Sequence, residues 1–319
     1  MVNINVPKQA TTNKQSNRIA ILDLGTNTFH LLIADIANRN HPAIVYQKTI
    51  PVKLGEGGIS ERTISPNAFK RGIRAILSFR KRIDQYQVET VKSAATSAIR
   101  SASNGAEFIE KIKSETGMEL EIIDGEREAM LIYLGVRAAI NLETVSLIVD
   151  IGGGSVEFII CDKNKIFWKK SYPIGAARMM ARFHHTDPIS GEEILQLHSY
   201  LDTTLKELQK QLDHYRPDVM IGSAGAFETF AELQGSQFKT SFEKPEQVID
   251  LEGFNIISKS IIKSTHLERE QIREIIPVRV DMIVVAAIMT NYLLTMLEFK
   301  ALKLSSYSLK EGVLFEMMK

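Results

Sequence analysis

Short apolar runs alternate with helical patterns along the chain, which predicts an α/β fold. Residues 19–22 and 31–34 are apolar runs on either side of a polar, glycine-containing segment, as in a β-hairpin. Ser65 and Pro66 then give the start signal of an amphipathic helix. The further predicted elements are strands at residues 43–47, 90–94 and 120–123 and helices at residues 104–116, from residue 126 onward and at residues 191–215. Such alternation predicts sheets covered by helices.

The opening hairpin pattern returns in the second half of the chain. Aligning the two hairpins at a constant offset matches Asp23 with Asp150, Gly25 with Gly152, Thr28 with Ser155, His30 with Glu157 and Asp35 with Asp162. Glycine and aspartate are common in turns, so short hairpins can match by chance. The shared spacing and the similar downstream strands favour an internal duplication. The pattern therefore predicts two related domains and a cleft between them.

Length, net charge and cysteine content indicate the number of domains, the overall electrostatic field and the redox compartment of the protein. A chain of 319 residues exceeds the usual size of one domain, which also favours two packed domains. The formal net charge of +1 gives no strong overall field, so any basic site must be local. Cys161 is the only cysteine, and its apolar neighbours favour a packed thiol in a reducing compartment.

No segment has the pattern of a targeting or membrane signal. Residues 1–17 are polar and lack the apolar stretch of a secretory signal, so we expect a loose N-terminal tail. Residues 282–297 form the longest apolar run, but three polar residues interrupt it, and a buried helix fits better than a membrane span. We therefore expect a cytoplasmic protein.

Both hairpin turns have the composition of phosphate-binding loops. A phosphate needs backbone N–H groups that can approach its oxygens, which glycine permits, and a hydroxyl donor strengthens the site. The first turn is DLGTNT at residues 23–28, and the second is DIGGGS at residues 150–155. Three consecutive glycines lose much conformational entropy on folding, so close approach of a ligand explains them better than a simple turn does.

Carboxylates near these turns are candidates for metal binding and proton transfer. A hairpin between Asp150 and Glu157 brings both to one hard cation such as Mg²⁺, although a turn-capping aspartate and a strand glutamate explain each residue separately. Glu126 and Glu128 lie in the first turn of a predicted helix, where the helix dipole favours acidic residues. One of them is a candidate general base, and the pattern alone does not choose between them.

Five motifs together resemble the exopolyphosphatase and guanosine-pentaphosphate phosphatase (Ppx/GppA) family. They are DLGTNTFH at residues 23–30, LGEG at residues 54–57, Glu128-Ala129, DIGGGSVE at residues 150–157 and Lys310-Glu311-Gly312. Their order and spacing agree with the family from about residue 19 to the C-terminus, which makes the resemblance specific.

The resemblance implies two actin-like (ribonuclease H-like) domains with the active site in the cleft between them. The expected division is residues 18–128, joined by a C-terminal helix within residues 305–319, and residues 129–304. The implied activity is hydrolysis of the terminal phosphate of inorganic polyphosphate, or of guanosine pentaphosphate (pppGpp), with Mg²⁺ or another divalent cation. It also suggests a homodimer, and no specific nucleic-acid binding is expected.

The resemblance also implies roles for individual residues. Glu128 resembles the catalytic base, and Asp150 and Glu157 resemble carboxylates that hold metal or water. The residues that match phosphate-binding positions are Asp23, Gly25, Asn27, Thr28, Arg100, Gly152, Gly153, Gly154 and Ser155.

Departures from the family pattern leave alternatives open. Met130 and Lys310 stand where the family often has arginine, and Ala226 follows Gly225 where it often has threonine. Residues 221–226 also resemble the nucleoside loop of actin-like ATPases, although a plain strand-to-helix turn explains them equally well. An ATP-binding phosphotransferase and a catalytically silent binding protein are therefore the competing classes.

Two further features of the sequence are weaker candidates for binding sites. The helix after Ser65 carries six basic residues, Lys70, Arg71, Arg74, Arg80, Lys81 and Arg82, along which a polyanion could run, although a solvated face is the simpler explanation. His184 and His185 beside Asp187 fit a surface loop better than a metal site.

Overall fold

Two sheets, each opening with a β-hairpin, organise the chain. The structure is a computed structural model that describes residues 17–38, 42–223, 225–238 and 245–318. The first sheet contains β1 (Arg18–Leu24), β2 (Thr28–Asp35), β3 (Ala43–Pro51) and β4 (Thr90–Ala95) in the order β3-β2-β1-β4. β1 is antiparallel to β2 and parallel to β4. The predicted N-terminal tail, apart from residue 17, lies outside the described residues.

Helices cover this first sheet as the apolar pattern predicts. They are α1 (Pro66–Gln85), α2 (Ser97–Ser101), α3 (Gly105–Thr116) and α4 (Gly125–Ala139). α1 buries Ile76, Phe79 and Ile83 against the sheet. The predicted strand at residues 120–123 is wrong, because only Ile122 forms an isolated bridge, to Ala95. The chain cannot extend this ladder, since α4 begins almost at once.

The second sheet is larger. Its strands are β5 (Ser146–Ile151), β6 (Val156–Cys161), β7 (Ile166–Tyr172), β8 (Val219–Ser223), β9 (Glu246–Ile249) and β10 (Ala301–Ser305) in the order β7-β6-β5-β8-β10-β9. Its helices are α5 (Ala176–Phe183), α6 (Gly191–Thr204), α7 (Lys206–Tyr215), α8 (Gly225–Phe238), α9 (Leu251–Lys263), α10 (His266–Glu270) and α11 (Met282–Met296). α12 (Leu309–Met317) follows the last strand.

The helices of the second half differ from one prediction and agree with another. The single helix predicted at residues 191–215 is wrong, because Leu205 leaves the helical conformation between α6 and α7 with φ −98° and ψ 15°. Leu201 and Leu208 on either side stay buried, so the break keeps both helices on the core. The apolar run at residues 282–297 is confirmed as a buried helix, α11. Among the described residues, no helix is both long and apolar enough to cross a membrane.

The predicted duplication is confirmed by strand register. Asp23 lies opposite His30 in the first hairpin, and Asp150 lies opposite Glu157 in the second. β5 is antiparallel to β6 and parallel to β8, as β1 is to β2 and β4. Since cross-strand partners point to the same face, each pair projects side chains together from the end of its sheet.

α4 and α12 form the core that the two sheets share. Ile21 of β1 and Ile148 of β5 belong to one apolar cluster with Leu131 of α4 and Val313 of α12. Burial of this cluster couples the two sheets, because neither helix can leave without exposing apolar surface on both. The predicted domain boundary after Glu128 falls within α4, and the division into domains stays a prediction.

The crossing of α4 and α12 yields a stability prediction. A Cβ at Gly312 would overlap the Leu131 carbonyl oxygen, so Gly312→Ala is expected to push the helices apart and lower the free energy of unfolding by about 1–3 kcal/mol. Urea denaturation measures this change. Gly191→Ala is the control, because a Cβ there meets nothing within 4 Å at the start of α6, and it should leave stability unchanged or higher. A Gly312→Ala variant as stable as the Gly191→Ala variant contradicts the prediction.

Candidate active site

A cavity of about 180 Å³ lies between the turns of the two hairpins. Every site residue expected from the sequence except Arg100 lines it: Asp23, Gly25, Asn27, Thr28, Glu128, Asp150, Gly152, Gly153, Gly154, Ser155 and Glu157. Residues separated by more than a hundred positions in the chain therefore meet in one place. They converge because β1 and β5 each end beside the cavity.

The glycines of the second turn are needed for contact with the first half. A Cβ at Gly153 would overlap the side chain of Asn27, and a Cβ at Gly154 would lie 2.5 Å from Ser97 Oγ. Gly175 just before α5 is equally confined, against the backbone of Gly153. The sequence predicted close approach at these glycines, and the groups in contact are the protein's own loops.

Asp150 and Glu157 face the cavity from neighbouring strands. Asp150 Oδ2 accepts hydrogen bonds from Ser223 Oγ at 2.8 Å and Ser308 Oγ at 2.7 Å, and Glu157 Oε1 accepts one from Ser171 Oγ at 2.6 Å. Burial raises the pKa of Asp150 to about 6, although both serines lower it. Burial, followed by the nearby carboxylates, raises the pKa of Glu157 well above its usual value.

Glu128 is set at the start of α4 and points inward. Asp124 caps the helix by accepting a hydrogen bond from the Arg127 backbone N–H, which fixes the first turn. Glu128 Oε2 then pairs with Arg100 Nη1 at 2.8 Å. Burial raises the pKa of Glu128 to about 7, against the lowering effect of Arg100.

The structure separates Glu128 from Glu126. Glu126 is exposed and pairs with Lys169, and it does not line the cavity. Arg100 also lies outside the lining, where its guanidinium donates to Glu128 and to the Ile123 carbonyl oxygen at 2.9 Å. Arg100 thus contacts the carboxylate that faces the cavity.

Basic residues that the sequence analysis did not assign to the site also line the cavity. Arg279 pairs with Glu228 at 2.9 Å and donates to Thr229 Oγ1, also at 2.9 Å. Lys310 pairs with Glu311 at 3.0 Å. Burial lowers the pKa of Lys310, but the negative charges of Glu311, Asp23 and Glu228 outweigh burial and raise the pKa overall, so the ammonium keeps its charge. Arg279 precedes a long apolar run, a signal that could have identified it as a partly buried cation.

Asp23 and His30 occupy the first-half positions that match Asp150 and Glu157. Desolvation raises the pKa of Asp23 to about 8, although Lys310 lowers it. Desolvation, Lys310 and Arg279 lower the pKa of His30 to about 3, so its ring is neutral. Its nitrogens lie 2.9 Å from the hydroxyls of Thr28 and Thr49. One hairpin therefore presents a carboxyl beside a neutral ring, and the other presents two carboxyls.

The donor set suits a hard divalent cation that keeps other ligands. Asp150 and Glu157 supply oxygen atoms from one face of the second sheet. Among the described residues, no group of three histidine, cysteine, aspartate or glutamate side chains is placed to bind a metal ion. Mg²⁺ commonly binds to one or two carboxylates and completes its shell with water and phosphate oxygens. The residues present fit that mode of binding.

The remaining candidates lie elsewhere. The Asp187 carboxylate accepts the His266 backbone N–H and pairs with Arg269 at 3.4 Å, so the histidine-rich loop has a structural role here. Cys161 is buried on β6 with its pKa raised by burial, which confirms a packed thiol. Of residues 221–226, the structure describes all but residue 224, and Gly225 and Ala226 line the cavity.

Comparison with known proteins identifies the family. A model of the Ppx/GppA phosphatase family matches residues 32–319. The chain is 26% identical over 299 residues to exopolyphosphatase 1 of Mycobacterium tuberculosis, which covers 93% of this chain and 87% of that protein. It is 25% identical to the guanosine-5'-triphosphate,3'-diphosphate pyrophosphatase of Vibrio parahaemolyticus, over 94% of this chain and 59% of that protein.

A solved structure gives the same result for the fold. The crystal structure of an exopolyphosphatase from Cytophaga hutchinsonii is similar to this chain with a TM-score of 0.92 and 40% identity, over 94% of this chain and 97% of that one. The α/β fold predicted from the sequence is thereby confirmed, and it is the fold of this exopolyphosphatase. Since the family model also spans most of the sequence, this chain belongs to the Ppx/GppA phosphatase family.

Proposed function

We propose that this protein is an exopolyphosphatase, which removes the terminal phosphate from inorganic polyphosphate. The observation that carries the proposal is the position of Glu128, a buried carboxylate with a raised pKa that faces both hairpin turns. The names of relatives that match most of the chain support the same activity. A silent binding protein would not require such a base, and a phosphotransferase would pass the phosphate to an acceptor instead of releasing it.

The two turns would bind the phosphate chain between them. Backbone N–H groups of residues 152–154 would approach the phosphate oxygens, and Asn27, Thr28 and Ser155 would add side-chain donors. The Gly25 N–H donates to the Thr28 carbonyl oxygen at 3.1 Å and so would shape the first turn instead. Asp23 would help to hold the first turn beside Lys310. Lys310 and Arg279 would offset the negative charge of the substrate, because both guanidinium and ammonium groups bind phosphate strongly. Arg100 is placed to contribute once a phosphate competes with Glu128 for it.

Glu128 would then activate water. Its carboxylate accepts a proton from the attacking water as the new P–O bond forms, and the P–O bond to the bridging oxygen breaks in line with the attack. The shortened chain leaves with the electron pair of that bond. A raised pKa makes the carboxylate a stronger base at neutral pH than an exposed glutamate.

Asp150 and Glu157 would hold a divalent cation, for which Mg²⁺ is our proposal. When bound, the ion would offset charge on the phosphate oxygens. The hydrogen bonds from Ser223, Ser308 and Ser171 fix the two carboxylates in place for that purpose.

A second candidate substrate is pppGpp. Val278, Met282, Ile283 and Ala286 form an apolar part of the cavity wall, which suits a nucleoside better than a phosphate chain. The relative from Vibrio parahaemolyticus carries a name that matches this substrate. Both substrates would use the same phosphate turns and the same base.

We also propose a cellular compartment, a division into domains and an oligomeric state. We place the protein in the cytoplasm, as the presence of one buried cysteine and no possible intrachain disulfide supports. We propose that residues 18–128 and the C-terminal helix form one domain and that residues 129–304 form the other. Contacts between α12 and β1 of the first sheet support placing the C-terminal helix with residues 18–128. A homodimer is proposed from the family resemblance alone.

Phosphate release tests the role of Glu128. With polyphosphate and Mg²⁺, Glu128→Gln is expected to lower kcat by about 10²–10⁴-fold, because the amide cannot accept the proton from water. Glu126→Gln is the matched control, since Glu126 lies two residues away but is exposed and should leave kcat unchanged. Equal losses in both variants would remove Glu128 from this role. Faster release from pppGpp than from polyphosphate would assign the second substrate instead.

The pH profile tests the environment of Glu128. The base must be deprotonated, so kcat/KM is expected to rise with pH and reach half its maximum near the pKa of about 7. Arg100 lowers this pKa, and Arg100→Met is therefore expected to move the midpoint to higher pH. Arg80→Met is the control, because Arg80 pairs only with the exposed Asp84. A midpoint that stays in place, or moves downward, in the Arg100→Met variant contradicts the assignment.

Metal removal tests the role of Asp150 and Glu157. We expect a chelator to abolish phosphate release and added Mg²⁺ to restore it. Ser171→Ala removes the hydrogen bond to Glu157 and is expected to raise the Mg²⁺ concentration for half-maximal activity by about 10–100-fold. Ser114→Ala, on the exposed surface of α3, should not. Full activity in the chelated enzyme would overturn the metal proposal.

A further inference from the structure

Arg178 bridges the two halves of the protein beside the cavity. It lies near the start of α5, where its Nε donates to the Gly154 carbonyl oxygen at 3.2 Å and its Nη1 donates to the Ile59 carbonyl oxygen at 3.1 Å. Gly154 belongs to the second hairpin turn, whereas Ile59 belongs to the loop between β3 and α1. The guanidinium is therefore fixed across the seam where the two halves meet.

Arg62 occupies a strained position on that same loop. Its φ of +52° lies in the left-handed region, which costs free energy for any residue except glycine. The surrounding structure enforces this conformation: the Arg62 carbonyl oxygen accepts the Ser103 backbone N–H at 2.8 Å, and Asn104 fixes Ile64 through two hydrogen bonds of 2.9 Å. The Arg62 side chain is exposed. Arginine thus stands at a backbone position where glycine would cost less conformational free energy, and such strained positions cluster at ligand-binding sites.

The two arginines form a local positive charge. Within the described part of the chain, no carboxylate lies within 4.0 Å of either guanidinium. Arg178 donates to Ile59, which lines one small cavity with Arg62. Burial, followed by the positive charge of Arg62, lowers the pKa of Arg178. An anion bound beside both arginines would offset the repulsion between their charges.

The pair is adjacent to the catalytic cavity but outside it. Neither arginine lines that cavity. Arg62 and Ile59 line a separate small cavity with Gly55, Ala98 and Ser101. Gly154 and Ser97 line the catalytic cavity and lie next to the other group of residues. The Gly154 carbonyl oxygen accepts a hydrogen bond from Arg178, and Ser97 precedes Ala98 of the small cavity. A ligand that reaches both places must be longer than a single phosphate group.

We propose that Arg62 and Arg178 form an anion subsite that holds a distal phosphate of a polyphosphate chain whose terminal phosphate lies beside Glu128. The proposal rests on the proposed function. Guanidinium groups suit it, because they donate in a planar fork that matches phosphate oxygens. The subsite gives the enzyme a preference for chains long enough to span the wall of the cavity.

Arg62→Gly is the decisive variant. Glycine accepts the left-handed backbone without strain, so the variant is expected to melt at the same temperature as the wild type or higher. The KM for long-chain inorganic polyphosphate should rise about tenfold, which corresponds to the loss of about 1.4 kcal/mol of binding. The KM for tripolyphosphate and kcat for both substrates should not change, because a short chain does not reach Arg62.

Two further variants identify the source of the effect. Arg62→Lys keeps the charge and should recover most of the affinity for the long chain. Arg74→Gly places the same change on α1, where Arg74 is exposed on the basic face that a polyanion could follow. An equal rise in the KM of Arg74→Gly would show that basic surface in general attracts the chain, and it would overturn the subsite. An equal rise for tripolyphosphate in Arg62→Gly would overturn it as well.

A binding titration separates this proposal from the proposed function. If the wild type released no phosphate from either chain, the proposed function would fail, but binding of long-chain polyphosphate could still be measured by calorimetry. Weaker binding by Arg62→Gly than by the wild type would support the subsite in that case. Equal binding by the two proteins would overturn it, whatever the rate of hydrolysis.

Discussion

Carboxyl groups crowded around one cavity set the electrostatics of this protein. Asp23, Glu128, Asp150 and Glu157 all face the cavity. Lys310 and Arg279 also line it, and Arg100 pairs with Glu128 from outside the lining. Desolvation is the largest cause that raises the pKa of each of the four. Transfer of a carboxylate from water into such a site is costly unless it is neutralised or hydrogen-bonded. A polyanionic substrate adds negative charge to the same space, so the site needs cations from the solvent or the protein whenever the substrate is bound.

Hydrogen bonding divides the carboxylates by role. Asp150 and Glu157 accept bonds from serine hydroxyls, which leave them oriented but do not supply positive charge. Glu128 instead pairs with Arg100, which lowers its pKa and keeps a fraction of it ionised at neutral pH. A carboxylate that must accept a proton benefits from the second arrangement, and carboxylates that must stay fixed around a cation benefit from the first.

The sequence predicts the parts of this structure that depend on local pattern. The paired hairpins, the strand ends that carry Asp23 and Asp150, and the choice of glycine at residues 152–154 all follow from residue type and spacing. Tertiary contacts decided the rest. Leu205 breaks a helix because the core requires a change of direction, and residues 120–123 fail to form a strand because α4 begins next to them. Arg279 reaches the site from the loop before α11, and Arg178 reaches its surroundings from α5. Both donate to residues that are distant in the chain, and no local spacing reports such contacts.

The duplicated hairpins explain why the two halves contribute differently. Where the second hairpin has Glu157, the first has His30, and the cations beside His30 keep its ring neutral. A glutamate at residue 30 would place a further carboxyl group at the cavity and raise the cost of ionising Glu128. A neutral ring at that position avoids this cost and still satisfies the hydroxyls of Thr28 and Thr49. The second hairpin therefore presents two carboxyl groups to the cavity, whereas the first presents one carboxyl group, Asp23, beside a neutral ring.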